Sequence, residues 1–186
     1  MDIGSVSTRY AKALMQYATD TGTSEMVYKA MSALEKNFVT QPRLRTALEN
    51  PVIGVREKLA LLQTASIGRE ALPRELSRFF TLVLKNGRET LMHYIALAFL
   101  DDYRRMHNIT VGRLVTAVPV SEEVRRRITI GTSTRLKTHT ELRTEVDPSI
   151  EGGFVLTIDG VRLDASIATQ LKQVKKQFID KNRRIV

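Results

Sequence analysis

Apolar side chains in the first 107 residues recur at the three-and-four spacing of helices. Val6, Tyr10, Leu14 and Tyr17 form such a stripe, with Ala13 and Ala18 beside them and Gly22 ending the run. A second helix, over about 24–38, carries Val27, Met31, Leu34 and Phe38 on one face. Pro42 suits the first turn of a short third helix, which closes at Asn50-Pro51 because the residue before a proline disfavours the helical region. The fourth, over 57–67, turns Leu59, Leu62 and Ile67 inward. Pro73 starts a fifth, and Asn86-Gly87 stops it with a C-terminal glycine. The longest is predicted over 89–107, with Leu91, Ile95, Ala98, Phe99, Tyr103 and Met106 on its buried face. Short connections between six helices predict a compact antiparallel bundle.

The period changes after Asn108. Residues 111–118 are rich in β-branched side chains and predict a strand, which Pro119 ends. Ser121 is placed to cap a helix whose first turn holds Glu122 and Glu123, favourably for the helix dipole. Over 141–146 the pattern alternates, so Leu142, Thr144 and Val146 share one face. Asp147-Pro148 turns the chain, and Gly152-Gly153 leads into a strand over 154–158. Asp159-Gly160, between Ile158 and Val161, is a strong two-residue hairpin signal. A last helix follows Asp164, with Ile167, Leu171, Val174 and Phe178 on one stripe. The predicted fold class is therefore a six-helix bundle over residues 1–107, then a small α/β domain over 108–186 with a β-hairpin and two helices.

Composition narrows the chemistry. The 186 residues include no Cys, no Trp and three His, so disulfides, thiolate metal sites and a cysteine nucleophile are excluded. His93, His107 and His139 show no metal-ligand spacing, and neither a phosphate-binding glycine motif nor a G-x-S-x-G elbow occurs. No catalytic, cofactor or metal residues are therefore assigned. Asp101, Asp102 and His107 read as a solvated helix face, and Glu141, Glu145 and Asp147 as the wet side of a sheet with no nucleophile beside it. No signal peptide is apparent, and the densest apolar stretch, 95–100, is far shorter than a membrane span. The expectation is a soluble intracellular protein.

The net charge of +9 favours acidic partners. Residues 1–107 hold 15 basic and 11 acidic side chains, and 108–186 hold 14 and 9, so the excess is not concentrated in a tail. Basic clusters stand at Arg125-Arg126-Arg127, Lys175-Lys176 and Arg183-Arg184. A nucleic-acid-binding protein is the alternative they raise, although no aromatic lies within ten residues of the arginine run to offer stacking. One predicted helix carries surplus apolar surface: Leu76, Phe79, Phe80, Leu82, Val83 and Leu84 exceed one core face. The first helix adds Ala11, Met15 and Ala18 opposite its main stripe. Either the fifth helix is central and fully buried, or a groove between helices one and five receives an amphipathic helix from another protein.

Several motifs together resemble one family. They are Arg9-Tyr-Ala-Lys-Ala-Leu14, Leu48-Glu-Asn-Pro51, Phe80 with Asn86-Gly87-Arg88, residues 146–154 (VDPSIEGGF), and Asp164-Ala-Ser-Ile167. In order and spacing they are similar to the δ subunit of bacterial F-type ATP synthases, whose mitochondrial homologue is the oligomycin-sensitivity-conferring protein. One departure is Asp159-Gly160, where the family more often has Gly before Asp; the hairpin survives it. The resemblance implies a non-catalytic stator subunit, in single copy, without cofactor and without nucleic acid. Its helical domain, 1–107, would bind the N-terminal segments of the α subunits, and its 108–186 domain the peripheral-stalk b subunits. It would sit peripherally at the cytoplasmic face of the bacterial plasma membrane and hold the catalytic head still against rotor torque. Carried onto this chain, the α-binding groove would draw on Tyr10, Ala13, Leu14, Tyr17, Phe79, Leu82 and Val83, some of which must face the core instead. Lys172, Lys175 and Lys176 of the last helix would meet acidic residues of b. Gly87, Gly152, Gly153 and Asp164 are expected to be architectural, with Asp164 as the N-cap of the last helix.

Overall fold

A computed structural model describes residues 3–68, 73–136, 138–158 and 160–183. It divides into two compact units, Met1–Met106 and His107–Val186. The first holds α1 (Ile3–Asp20), α2 (Ser24–Thr40), α3 (Pro42–Glu49), α4 (Val55–Ile67), α5 (Arg74–Lys85) and, after a 3-10 turn at Glu89–Leu91, α6 (Met92–Met106). The end of α5 forms where glycine permits it. Gly87 adopts φ +61, and the Arg88 and Gly87 amides donate to the Val83 and Leu84 carbonyls at 3.0 and 3.1 Å, the paired bonds of a Schellman stop.

The core of this unit is built on α6, which packs against α1 and α2. Met92, Ile95, Ala96, Phe99 and Leu100 are fully buried, while Tyr103 stacks on Tyr28 at 4.2 Å. Two details differ from the sequence reading. Met106 is 60% exposed because it ends the helix, and α6, whose first turn is 3-10, is shorter than α1, α2 and the final helix. In α4 the fully enclosed row is Lys58, Leu62 and Ser66, with Leu59 and Ile67 only half-buried. Lys58 takes its place there by an ion pair, its Nζ 2.7 Å from Glu89 Oε1.

The largest correction is to α1. Its buried row is Ser7, Ala11, Leu14, Met15 and Ala18, whereas Val6, Tyr10 and Tyr17 are half-exposed. Close helix packing selects the small residues: Ala11 and Ala18 on α1 and Ala96 on α6 are all fully buried. A tyrosine in that seam would hold the helices apart and bury a hydroxyl that needs a partner.

The second unit comprises β1 (Ile109–Thr116), α7 (Glu122–Leu136), β2 (His139–Val146), a 3-10 turn at Pro148–Ile150, β3 (Phe154–Ile158), β4 (Val161–Asp164) and α8 (Ile167–Arg183). The sheet order is β2-β1-β3-β4. β1 and β2 are parallel and joined through α7, as a parallel pair requires a crossover. β3 is antiparallel to β1 and to β4, with Ile158 opposite Val161. Asp159 and Arg184 lie outside the described residues, as do the side chains of Leu136 and Phe178. β1 starts and stops two residues earlier than the composition suggests. The Thr116 carbonyl accepts from Asp147 N at 2.8 Å, and its hydroxyl donates to Val118 O at 2.8 Å, which draws the chain out of the sheet before Val118.

Asp164 is not the cap of α8. Ser166 holds that position, its Oγ accepting from Thr169 N at 3.3 Å, while Asp164 Oδ1 accepts from Ser166 N at 3.1 Å and Ser166 Oγ at 2.6 Å. The side-chain hydrogen bond from Ser166, then its backbone N–H, hold the Asp164 carboxyl at about 2, below its ordinary 3.8. Because the folded value is depressed, this stabilisation is complete above the ordinary carboxylate range and fades as pH falls toward about 2. Ser166→Ala is expected to cost about 1 kcal/mol in urea unfolding at neutral pH. A loss indistinguishable from zero would remove Ser166 from the capping role.

Candidate binding surfaces

The exposed flank of α1 left by its inward rotation meets α5 in an antiparallel seam. Near one end the Asn86 side-chain amide donates to the Tyr10 hydroxyl at 2.9 Å; near the other Arg78 Nη1 donates to the Tyr17 hydroxyl at 3.2 Å. Tyr10 meets Phe79 edge-on at 6.4 Å between ring centroids. Between the two tyrosine ties, Ala13 is exposed on α1, and Leu82 is 50% exposed on α5 while Leu76, Phe80 and Val83 around it are fully buried. The result is a shallow trough with a small residue on one wall and a leucine on the other.

This geometry sorts the seven predicted groove residues. Leu14 and Val83 belong to the interior, at 1% and 0% exposure, and Phe79 is buried beneath Tyr10. Tyr10, Ala13, Tyr17 and Leu82 present atoms to solvent. Arg78 and Asn86 join them as the residues that hold the tyrosines; the sequence marks Asn86 as part of a helix stop and of a family motif, and nothing in the local pattern singles out Arg78.

On α8, Lys172, Lys175 and Lys176 are exposed, alongside Ile167, Leu171 and Val174 at 45–56% exposure. Gly152 and Gly153 sit where the chain runs beside the start of α8. The Ala165 amide donates to Phe154 O at 2.9 Å and the Ile167 amide to Gly152 O at 3.1 Å, so the backbones lie side by side. A Cβ on Gly153, whose φ is +71, would overlap the Ala165 carbonyl oxygen, and one on Gly152 would press on the Ile167 side chain.

Carboxylates of the sheet edge and of α6 are engaged in local contacts. Glu145 pairs with Arg113 across the β1–β2 ladder, and Asp147 Oδ1 accepts from Ser149 N at 2.9 Å, an interaction that lowers its pKa through the Ser149 hydrogen bonds. Asp101 lies 3.8 Å from Arg104 on the same helix. Among the described residues no group of three or more His, Asp or Glu side chains stands together as a metal site, and no helix is long and apolar enough to cross a membrane. Arg125, Arg126 and Arg127 are exposed on α7, with Arg125 3.2 Å from Glu122.

Comparison with known proteins gives a consistent answer. Two proteins named ATP synthase subunit delta, from Bacteroides thetaiotaomicron and Bacteroides fragilis, are 51% and 50% identical over all of this chain and all of their own. A third of that name, from Bdellovibrio bacteriovorus, is 29% identical over 99% of each chain. A chain of the cryo-EM mitochondrial ATP synthase hexamer of Toxoplasma gondii superposes with a TM-score of 0.63 at 22% identity, covering 93% of this chain and 97% of that one, a likeness of fold. None of these matches supports a nucleic-acid-binding protein. The model of the ATP synthase delta (OSCP) subunit family matches residues 6–178, and the chain belongs to that family.

Proposed function

We propose that this chain is a non-catalytic stator subunit of an F-type ATP synthase, peripheral at the cytoplasmic face of the membrane. Residues 1–107 hold the N-terminal segment of an α subunit in the α1–α5 trough, and 108–186 hold the b subunits. The carrying observation is the trough itself. Its walls are cross-tied by Tyr10–Asn86 and Tyr17–Arg78, so the surface is preformed, and Leu82 is left half-exposed on an otherwise buried helix face. That combination suits an amphipathic helix laid along two parallel ridges. On α8 the half-exposed Ile167, Leu171 and Val174 run beside three lysines, which suits an acidic amphipathic helix of the stalk. Charges at such a rim tune association more than affinity. Transmission of load needs two firm attachments and no reacting group, so the lack of reactive residues fits the task.

Tyr10→Asp combined with Leu82→Asp is expected to abolish binding of a synthetic α-subunit N-terminal peptide while far-ultraviolet circular dichroism keeps its helical signal. Leu82→Asp alone, which breaks no hydrogen bond, should weaken binding at least tenfold, about 1.4 kcal/mol. Unchanged peptide affinity in the folded double variant removes the trough from the α-binding role.

A further inference from the structure

α2, α3 and α6 meet at a histidine that neither binding surface uses. His93 stands in the first turn of α6, its ring half-buried and stacked on Phe38 of α2 with centroids 5.0 Å apart. Its Nε2 is enclosed and has no hydrogen-bond partner. Tyr94 lies 6.0 Å away ring to ring, and the Arg45 guanidinium of α3 stands 6.0 Å over the Tyr94 ring. The charged groups that act on the imidazole are Arg45 of α3 and the buried Glu35 of α2. Four residues before it, Glu89 of the 3-10 turn is committed to Lys58 of α4, and Arg45 lies 3.4 Å from Glu49 on its own helix. Burial first, and then the Arg45 charge, hold the imidazole below its ordinary 6.5, with Glu35 pulling the other way. The folded ring is therefore neutral. α3 is weakly anchored beside it: of its eight residues Leu48 alone is fully enclosed, and a helix so short does not persist without its packing.

We propose that the junction around His93 is an acid-triggered release for α3. A proton placed on the folded ring sets a cation against Arg45 and leaves an enclosed Nε2–H without an acceptor. Movement of α3 away from the junction removes Arg45 and lets water reach Nε2, so the open form takes up the proton more readily. The closed junction is thus fully stable above the ordinary histidine value and loses stability as pH falls below it. The Lys58–Glu89 pair responds only in the lower carboxylate range, which keeps the two effects apart. α6 stays packed on α1 and α2 throughout, and the release is confined to α3 and the segments that flank it.

Native-state amide exchange of the full chain, corrected for the intrinsic pH dependence of exchange, tests this at about pH 7.5 and about pH 5.5. Protection of the α3 amides should fall several-fold relative to those of α6. The ceiling is about tenfold, set by one pH unit below the ordinary histidine value. His93→Phe keeps a ring against Phe38 and cannot titrate, so it should remove the difference. His93→Gln repeats the measurement should the phenylalanine disturb the fold, and it also identifies the His93 signal in the NMR spectrum of the wild type. That signal should titrate below 6.5. An α3-to-α6 protection ratio that is the same at both pH values overturns the release. So does an unchanged pH dependence in the folded His93 variants, or a His93 imidazole that titrates at or above its ordinary value.

Discussion

Gly153→Ala is expected to destabilise the sheet-bearing unit by about 3–5 kcal/mol, a loss reserved for substitutions that force the backbone to move. Two effects combine at this position. At φ +71 any side chain is strained, at about 1–3 kcal/mol for a residue held in a sparsely populated region. The added methyl would also overlap the Ala165 carbonyl oxygen. That carbonyl has nowhere to go, because the bonds from Ala165 N to Phe154 O and from Ile167 N to Gly152 O clamp the two backbones together. Amide exchange under native conditions is the appropriate measurement, since it reports each element by itself. Protection should fall throughout β3 and β4 and at the first turn of α8. Protection within about 1 kcal/mol of the wild type would show that the two strands separate more easily than these hydrogen bonds imply.

Lys58→Met should cost about 3–5 kcal/mol for a different reason: it strands a carboxylate. The Lys58 side chain is 6% exposed and that of Glu89 19%, at 2.7 Å. Burial pushes Glu89 upward, but the Lys58 hydrogen bond, a backbone hydrogen bond and the Lys58 charge together hold it below its usual value. In the wild type, then, the pair contributes stability above the ordinary carboxylate range and loses it as pH falls. Without Lys58 only burial and the backbone bond act, the folded value rises above the unfolded one, and the folded state takes up the extra proton. The variant should therefore recover part of its lost stability between neutral pH and about pH 4, near the ordinary Glu value, the reverse of the wild-type trend. The double variant Lys58→Met with Glu89→Leu should return to within about 1 kcal/mol of wild type, since replacing both partners leaves no uncompensated charge. A double variant as unstable as the single one would make Lys58 important for its packing alone.

How far the sequence can be read differs between the elements. The helix starts and stops are local events. Pro42, Pro73 and Asn86-Gly87 each restrict one or two backbone torsions, so they act the same wherever the helix lies. The β3–β4 pairing around Gly160 is local in the same sense. The parallel pairing of β1 with β2 is not: it joins strands separated by α7, and no nearby residue announces it. For the trough, Leu82 is legible as apolar surplus, but Val83 carries the same signature and is core. Tyr10, Ala13 and Tyr17 belong with the main stripe of the first helix and enter the groove only through the family resemblance, as does Leu14, which is core. Arg78 and Asn86 matter through contacts with residues more than sixty positions away.

What the amino-acid order determined alone was therefore the division into a helical part and a mixed part, the positions of these helix boundaries, and the lack of residues for most reaction chemistry. Those depend on backbone torsion preferences and on side-chain inventory, and both are properties of short segments. Which side of α1 became interior was decided only in three dimensions. Its helix has two apolar rows, and the row of small residues won because Ala11 and Ala18 let α6 approach. The tyrosine row was thereby turned toward α5 and solvent, and that rotation made the trough. The burial of Lys58 was decided in the same way, by Glu89 arriving from a distant turn to neutralise a charge that no local pattern would place inside.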